Sequence, residues 1–160
     1  MANAARPSHL TWRSIGLVAA GGAVGAACRE GLSLVIPSVG GVPIAIAIIN
    51  VLGAFMLGYL YVILTRRPSG DPTVSTMKLL IGTGFCGGFT TYSSLATDTA
   101  VLNAHGDGGI ALAYSLGTVV LGAAATMFGI VIAARSNDRH AASPQAAAAS
   151  GAQSARGARS

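Results

Sequence analysis

The sequence is poor in charged residues: Asp, Glu, Lys and Arg make up 9% of its 160 residues, whereas 52% are hydrophobic. Because an ordinary soluble domain carries about 25% charged residues, this composition argues against a water-soluble fold. The net charge of +5 does not indicate a nucleic-acid partner. The basic residues lie in loops and tails beside apolar segments, where lipid headgroups and membrane orientation explain them better. The composition predicts one small domain in a lipid bilayer.

Residues that build catalytic and metal centres are also scarce. The two cysteines, Cys28 and Cys86, lie inside apolar segments and predict buried free thiols rather than disulfides. The three histidines are far apart in tails or loops, so we expect no side-chain metal cluster. A G-x-x-x-x-G-K-[ST] phosphate loop is missing, so an ATP-driven pump is not indicated. These absences favour a passive membrane protein over an enzyme.

Four apolar segments are each long enough to cross a hydrocarbon core of ~30 Å as a helix. They predict an all-α membrane domain over residues 14–134. The expected spans are residues 15–36, 43–64, 77–102 and 110–134.

Both ends of the chain are more polar. Residues 1–13 form a polar lead in which Arg6 and Arg13 precede the first span, as in a signal peptide. The apolar run that follows is longer than the usual ~7–15 residues of such a peptide, so we interpret it as a span. Residues 135–160 are rich in Ala, Ser, Gly, Gln and Arg, which predicts a disordered tail.

Small residues recur every four positions in the first span. Gly21 and Gly25 are four residues apart, and so are Gly22 and Ala26. Small residues at this spacing allow the backbones of two membrane helices to approach closely. We therefore interpret this stripe as a packing surface rather than a site of chemistry.

The third span contains a stretch that disfavours a regular helix. The stretch is Gly82–Ser94: four glycines fall within its first seven residues, and each costs ~1 kcal/mol relative to alanine inside a helix. Residues with hydroxyls or sulfur interleave or follow, namely Thr83, Cys86, Thr90, Thr91 and Ser93. Irregular backbone inside a membrane is tolerated only when protein surrounds it or it lines a watery cavity. Such breaks are where membrane transporters bind ions. We predict that the third helix is broken at mid-membrane, with packing by the glycines as the alternative.

Three motifs together resemble the Fluc (CrcB-type) family of fluoride channels. They are GGAVGAACR at Gly21–Arg29, INVLGAFMLG at Ile49–Gly58 and GFCGGFTTYSS at Gly84–Ser94. The third motif is the most specific, because a glycine-rich break followed by Thr-Thr-aromatic-Ser is not a general membrane pattern. The resemblance covers about residues 15–134. It implies an antiparallel dimer of four-helix subunits with two fluoride pores and a structural sodium ion.

The same resemblance implies roles for individual residues. Gly87 and Thr90 match the positions whose backbone carbonyls hold sodium at the break of the third helix. Asp98 stands at an acidic position that is usually Glu, and is a further candidate. The residues that the resemblance and their donor groups assign to the fluoride pore are Arg29, Asn50, Tyr92, Ser93, Leu95, Tyr114 and Thr118.

Two of the pore positions depart from the family pattern. Leu95 is not aromatic where the family has phenylalanine, and Ile46 replaces a threonine four residues before Asn50. Both changes remove a polar or aromatic contact from a pore wall. We therefore expect one of the two pores to be impaired or remodelled.

The residue types suit a small, strongly hydrated anion. Asn50 offers N–H donors, and Ser93 and Thr118 offer hydroxyls. The ring edge of Tyr92 carries partial positive charge. Conduction needs binding that is weak enough to release the ion, and the spans contain almost no Lys or Arg. An inside-negative potential favours exit of an anion by ~2.3 kcal/mol per 100 mV.

Several alternatives stay open at this stage. Asn50 could serve only as an interhelical hydrogen-bonding residue, Thr118 could bond its own backbone, and Tyr92 and Leu95 could be packing residues. For the whole chain, the alternatives are a non-conducting assembly subunit of a heterodimeric channel and a small proton-coupled drug exporter.

The basic residues predict the orientation in the cell (plasma or inner) membrane. An even number of spans places both termini on one side, and a Lys/Arg excess marks that side as cytoplasmic. An antiparallel homodimer needs both orientations of one sequence, so this bias favours pairing with an oppositely oriented relative, with self-pairing as the alternative. Only Arg29 lies on the other side; the seven on the side of the tails are Arg6, Arg13, Arg66, Arg67, Lys78, Arg135 and Arg139.

Overall fold

Most of the described part of the chain is helical. The structure, a computed structural model, describes residues 11–68 and 71–157, with side chains up to Ser136. Those ranges contain no strand, only an isolated bridge between Val39 and Val42, so the all-α prediction is confirmed. The helices are α1 (Trp12–Val35), α2 (Ile44–Thr65), α3 (Pro72–Met77), a π-helix (Lys78–Phe85), α4 (Cys86–Phe89), α5 (Tyr92–Ala104) and α6 (Gly108–Gly157).

Within the described residues, three helices are long and apolar enough to cross a membrane. They are Trp12–Val35, Ile44–Thr65 and the Gly108–Ser136 part of α6, and they coincide within a few residues with the first, second and fourth expected spans. The expected span over residues 77–102 is divided among shorter helical segments, the longest of which is the 13-residue α5. No single helix in that region is long enough to cross on its own.

A tight turn joins α1 to α2. Val39 and Val42 exchange two backbone hydrogen bonds of 3.0 Å. The two residues between them, Gly40 and Gly41, have φ angles of +59° and +82°. Side chains disfavour these left-handed angles, which glycine adopts without steric cost. The turn sends α2 back along α1.

Helix α1 packs directly on the backbone of the π-helix and of α4. A Cβ on Gly21 would collide with the carbonyl oxygen of Leu80, and one on Gly25 would collide with the carbonyl oxygen of Phe85. From the other side, a Cβ on Gly88 would collide with the carbonyl oxygen of Gly22. The predicted packing role of the small residues in the first span is thus confirmed.

Helices α2 and α6 pack together in the same manner. A Cβ on Gly58 would collide with the carbonyl oxygen of Thr126, and one on Gly129 with that of Phe55. The Thr126 hydroxyl lies 3.3 Å from the carbonyl oxygen of Ala54, across this contact. These close approaches join α2 to α6, while α1 joins the π-helix and α4.

The predictions for the two ends of the chain are only partly accessible. Helix α1 begins at Trp12, so Trp12 and Arg13 belong to the first helix rather than to a polar lead. The other predicted lead residues lie outside the described residues, apart from Thr11. The α6 backbone runs to Gly157, beyond the expected end of the fourth span at Ala134. Side chains after Ser136 and residues 158–160 lie outside the described part, so the predicted disorder of the tail stays a prediction.

Candidate functional site

Helices α4 and α5 are separated by two threonines that are not helical. Helix α4 ends at Phe89, Thr90 and Thr91 are extended with ψ angles of 154° and 120°, and α5 begins at Tyr92. The interruption therefore lies within the predicted stretch, Gly82–Ser94, on the C-terminal side of its glycines. Of the four glycines, Gly84 and Gly88 are in close contact with the backbone of α1, whereas Gly82 faces leucine side chains of α2 and Gly87 has an open Cβ position.

Asn50, on α2, is hydrogen-bonded to the backbone at the interruption. Its Nδ2 donates to the carbonyl oxygen of Thr91 at 3.0 Å, and the Thr91 N–H donates to Asn50 Oδ1 at 2.8 Å. Both peptide groups of an extended residue are thereby satisfied by one side chain. Since leaving a buried polar group unpaired costs about 1–3 kcal/mol, this pair of bonds stabilises the interruption.

The bonds to Asn50 also change the hydrogen bonding of α4. In a continuous α-helix the Thr91 N–H would donate to the Gly87 carbonyl, four residues earlier. Because this N–H donates to Asn50 instead, the Gly87 carbonyl is not engaged by its usual helical partner. The Thr90 N–H and hydroxyl both donate to the carbonyl oxygen of Cys86, at 2.9 and 2.8 Å.

The two predicted sodium ligands border one open groove. Its volume is about 470 Å³, and Gly87 is exposed, with no atom within 4 Å of the position of a Cβ. Backbone carbonyls at helix interruptions are the groups that coordinate Na⁺ in membrane transporters, so the donor chemistry fits a sodium ion. The lining residues include Gly53, Gly82, Thr83, Gly87, Thr90 and Thr126.

A second polar group lies between α5 and α6. The Tyr114 side chain is buried, and its hydroxyl lies 3.0 Å from the Pro43 carbonyl oxygen and 3.2 Å from Asp98 Oδ2. The Thr118 hydroxyl donates to the Tyr114 carbonyl oxygen at 2.7 Å, within its own helix. The bond that the sequence left open for Thr118 is therefore formed, and it occupies the only hydroxyl proton of that residue.

Tyr92 and Leu95 share one cleft but differ in exposure. Tyr92 is 81% exposed, whereas Leu95 is 5% exposed and belongs to the buried cluster around Ile49 and Phe89. Both residues line a cleft of about 520 Å³ between α5 and α6. Tyr92 thus presents its ring to the outside of the subunit, while Leu95 closes the inner side of the cleft.

The predicted pore residues fall into connected and unconnected groups. Ser93 is exposed, and its hydroxyl lies 3.1 Å from that of Thr91. Since Asn50 is hydrogen-bonded to the backbone of Thr91, Ser93 is connected to Asn50 through Thr91. Arg29 lies on α1, which packs on the π-helix and α4. Its guanidinium makes no hydrogen bond to another predicted pore residue in the part of the chain that the structure describes.

The sequence placed Thr91 in the irregular stretch but gave it no role of its own. Its side chain accepts a hydrogen bond from the Ser94 N–H at 3.2 Å and caps the N-terminus of α5. Its backbone is the partner of Asn50. The pattern Thr-Tyr-Ser-Ser contained the signal, because threonine is among the preferred N-cap residues.

Replacing Thr91 by Ala is expected to destabilise the subunit by ~1 kcal/mol, the typical cost of losing an N-cap. Thr91→Ser keeps the hydroxyl that caps α5 and should retain wild-type stability. Thermal unfolding of the two variants in one detergent measures the difference. Equal losses in Thr91→Ala and Thr91→Ser would show that the methyl group, not the cap, stabilises this position.

Comparison with known proteins gives matches over most of the chain. Residues 16–130 match the family described as CrcB-like protein, Camphor Resistance (CrcB). A fluoride-specific ion channel FluC 2 of Leifsonia xyli subsp. xyli is 41% identical over 128 residues, which are 80% of this chain and 88% of the relative. A fluoride-specific ion channel FluC of Deinococcus radiodurans is 44% identical over 121 residues, or 74% of this chain and 93% of the relative. A fluoride-specific ion channel FluC 1 of Mycobacterium bovis is 39% identical over 130 residues, or 81% and 96%.

Proposed function

This chain belongs to the CrcB-like protein family, and from that membership we propose that it is a subunit of a fluoride-specific ion channel. The channel lets cytoplasmic fluoride leave the cell passively, driven by the membrane potential. The observation that carries this function is the match over residues 16–130 together with relatives named as fluoride-specific channels that align over nearly their whole length. Neither the assembly-only subunit nor the drug exporter is favoured by these relatives.

The hydrogen-bond donors near the interruption support passage of an anion. Asn50 uses one N–H of its amide for Thr91, and a second N–H remains on the same nitrogen. Ser93 and Tyr92 are exposed beside it. A fluoride ion that gives up water at this place finds neutral donors and an aromatic edge. Neutral donors bind the ion without trapping it, as conduction requires.

The interruption itself lies at mid-membrane in this proposal. The three apolar helices define the thickness of the bilayer. Three consecutive helical segments cover the 18 residues 72–89 before Thr90–Thr91, and the 13 residues of α5 follow it. Together these segments supply a fourth crossing. The Gly87 carbonyl, which lacks its usual helical partner, then faces a neighbouring subunit rather than lipid, because lipid offers a carbonyl no partner.

A second subunit, antiparallel to the first, covers the groove at Gly87 and Thr90. One subunit offers only a few backbone oxygens there, so a structural sodium ion is held jointly by both subunits. The exposed ring of Tyr92 contacts the same partner. In this arrangement each of the two pores is formed by residues of both subunits.

The orientation of the subunit follows from its basic residues. Seven Lys and Arg side chains near the span ends lie on the side of the tails against Arg29 alone on the other, so both termini are cytoplasmic in the plasma (inner) membrane. The partner is an oppositely oriented relative, with a second copy of this chain as the alternative.

The orientation can be tested in a variant in which Cys28 and Cys86 are replaced by Ser and one cysteine is added to a tail. Impermeant thiol reagents should not label the tail cysteine in intact cells and should label it after the cells are lysed. Labelling of about half the molecules from outside would indicate dual insertion and a homodimer.

Fluoride efflux from liposomes tests the function itself. Vesicles loaded with potassium fluoride and containing this chain, alone or with its oppositely oriented relative, should release fluoride when valinomycin carries potassium out. Vesicles loaded with potassium chloride serve as the control and should retain chloride. Efflux only in the presence of the relative would identify an assembly-dependent subunit, and no efflux in either preparation would contradict the channel.

A further inference from the structure

Gly53, on α2, faces the interruption directly. The residue is buried, and a Cβ at its position would collide with the Cγ2 methyl group of Thr90 and lie 3.4 Å from Cδ1 of Phe89. The missing side chain of Gly53 thus leaves a notch on α2 that the Thr90 methyl group occupies. Asn50, which is hydrogen-bonded to Thr91, lies three residues earlier on the same side of α2.

The Thr90 side chain is held in this notch by a hydrogen bond. Its Oγ1 donates to the carbonyl oxygen of Cys86 at 2.8 Å, and its backbone N–H donates to the same oxygen at 2.9 Å. Threonine is β-branched, so the direction of the hydroxyl fixes the direction of the methyl group. Rotating the side chain away from a methyl group on residue 53 would therefore break the hydroxyl bond to Cys86.

Thr90 and Gly87 carry the carbonyls that the proposed function assigns to sodium. In a continuous α-helix the Ser94 N–H would donate to the Thr90 carbonyl, four residues earlier, but it donates to the Thr91 hydroxyl at 3.2 Å. The Thr91 N–H likewise donates to Asn50 instead of the Gly87 carbonyl. Both carbonyls therefore lack their usual helical donor, and the conformation of residues 90 and 91 decides where they point.

We propose that Gly53 is a positioning residue for these two carbonyls and acts through the Thr90 methyl group. The size of residue 53 sets how closely the interruption approaches α2, and hence the direction of both carbonyls in the groove that Gly53, Gly87 and Thr90 line. A methyl group on residue 53 displaces Thr90 and weakens sodium binding, although the atoms nearest to it are side-chain carbons. The sodium readout of this role rests on the proposed function, whereas the contact between Gly53 and Thr90 does not.

Thermal unfolding of single and double variants tests the contact. Gly53→Ala should unfold several degrees below wild type, because its methyl group meets that of Thr90. Thr90→Ser deletes the Thr90 methyl group and keeps the hydroxyl, so Gly53→Ala/Thr90→Ser should recover most of the loss, a non-additive result that residues in contact produce. Gly122→Ala is the matched control. Its Cβ would lie 3.8 Å from that of Ala54 on α2, an ordinary contact, and it should unfold at or above the wild-type temperature.

Two results of this experiment would overturn the proposal. One is a Gly53→Ala variant that unfolds at the wild-type temperature. The other is a loss that Thr90→Ser does not relieve, as a collision of the new methyl group with a neighbouring subunit would produce. Should Gly53→Ala fail to fold, the double variant decides: a folded double variant supports the contact, and failure of both rules it out.

Nuclear magnetic resonance of the assembled dimer tests the positioning role without any flux. Thr90 and Thr91 are the only consecutive threonines in the sequence. Labelling threonine with ¹³C at the carbonyl and ¹⁵N at the amide therefore gives one signal that joins the Thr90 carbonyl to the Thr91 N–H. In wild type this signal should shift when sodium chloride replaces potassium chloride. The shift should be smaller or lost in Gly53→Ala and retained in Gly122→Ala.

An equal sodium response in wild type and Gly53→Ala would contradict the positioning role. No response in wild type would instead contradict the sodium ion of the proposed function. The position of the signal in potassium chloride then decides, because the Thr91 N–H reports its bond to Asn50 whether or not sodium is bound. Gly53→Ala should displace the signal, and an unmoved signal would show that Gly53 does not position the interruption.

Discussion

Asn50→Asp is expected to abolish fluoride efflux. The carboxylate places a full negative charge where Asn50 offers an amide, and two like charges about 4 Å apart repel by ~4 kcal/mol at an effective dielectric constant of about 20. Because 1.4 kcal/mol corresponds to a tenfold change in rate, this repulsion alone slows passage by about a thousandfold. The variant also lacks the N–H that reaches the Thr91 carbonyl.

Asn50→Ala separates these two effects. It removes both bonds to Thr91, at 3.0 and 2.8 Å, but adds no charge. Leaving the two peptide groups unpaired costs about 1–3 kcal/mol each, so this variant should be less stable than wild type and conduct poorly. Liposome efflux and thermal unfolding should be measured on both variants. Wild-type efflux in Asn50→Asp would place Asn50 outside the pore.

Gly25→Ala is expected to lower the stability of the subunit strongly. The new methyl group would meet the Phe85 carbonyl oxygen and the Phe89 nitrogen, at 2.8 Å from the latter, and both are backbone atoms that cannot rotate away. Overpacking costs about 1–3 kcal/mol and occasionally more, and here it separates α1 from the π-helix and α4. The variant should extract from membranes largely as misfolded or aggregated protein and unfold at a lower temperature.

Gly31→Ala is the matched control on the same helix. No atom lies within 4 Å of the position of its Cβ, and alanine is favoured over glycine in a helix by ~1 kcal/mol. Gly31→Ala should therefore unfold at or above the wild-type temperature. If Gly25→Ala and Gly31→Ala unfolded at the same temperature, the close contact of α1 with the π-helix and α4 would not contribute to stability.

Elements with a strong local cause were predictable from the sequence. Apolar runs of about 20 residues have one solution in a bilayer, a helix that satisfies its own backbone, and Trp12–Val35, Ile44–Thr65 and Gly108–Ser136 follow it. The spacing of Gly21 and Gly25 likewise predicted a close backbone contact. The glycines of Gly82–Gly88 do not by themselves locate the interruption within the predicted stretch, because glycine is compatible both with an irregular chain and with a closely packed helix.

The amino-acid sequence by itself determined that this protein has helices long enough to cross a membrane and that Gly82–Ser94 disfavours a regular helix, since hydrophobic length and glycine content act locally. Only the tertiary structure decided that the interruption falls at Thr90–Thr91, because the group that satisfies it, Asn50, lies 41 positions away. It also decided that the Tyr114 hydroxyl lies within hydrogen-bonding distance of both the Pro43 carbonyl oxygen and Asp98 Oδ2. Hydrogen bonds between distant residues depend on how helices are brought together, and no local pattern encodes them.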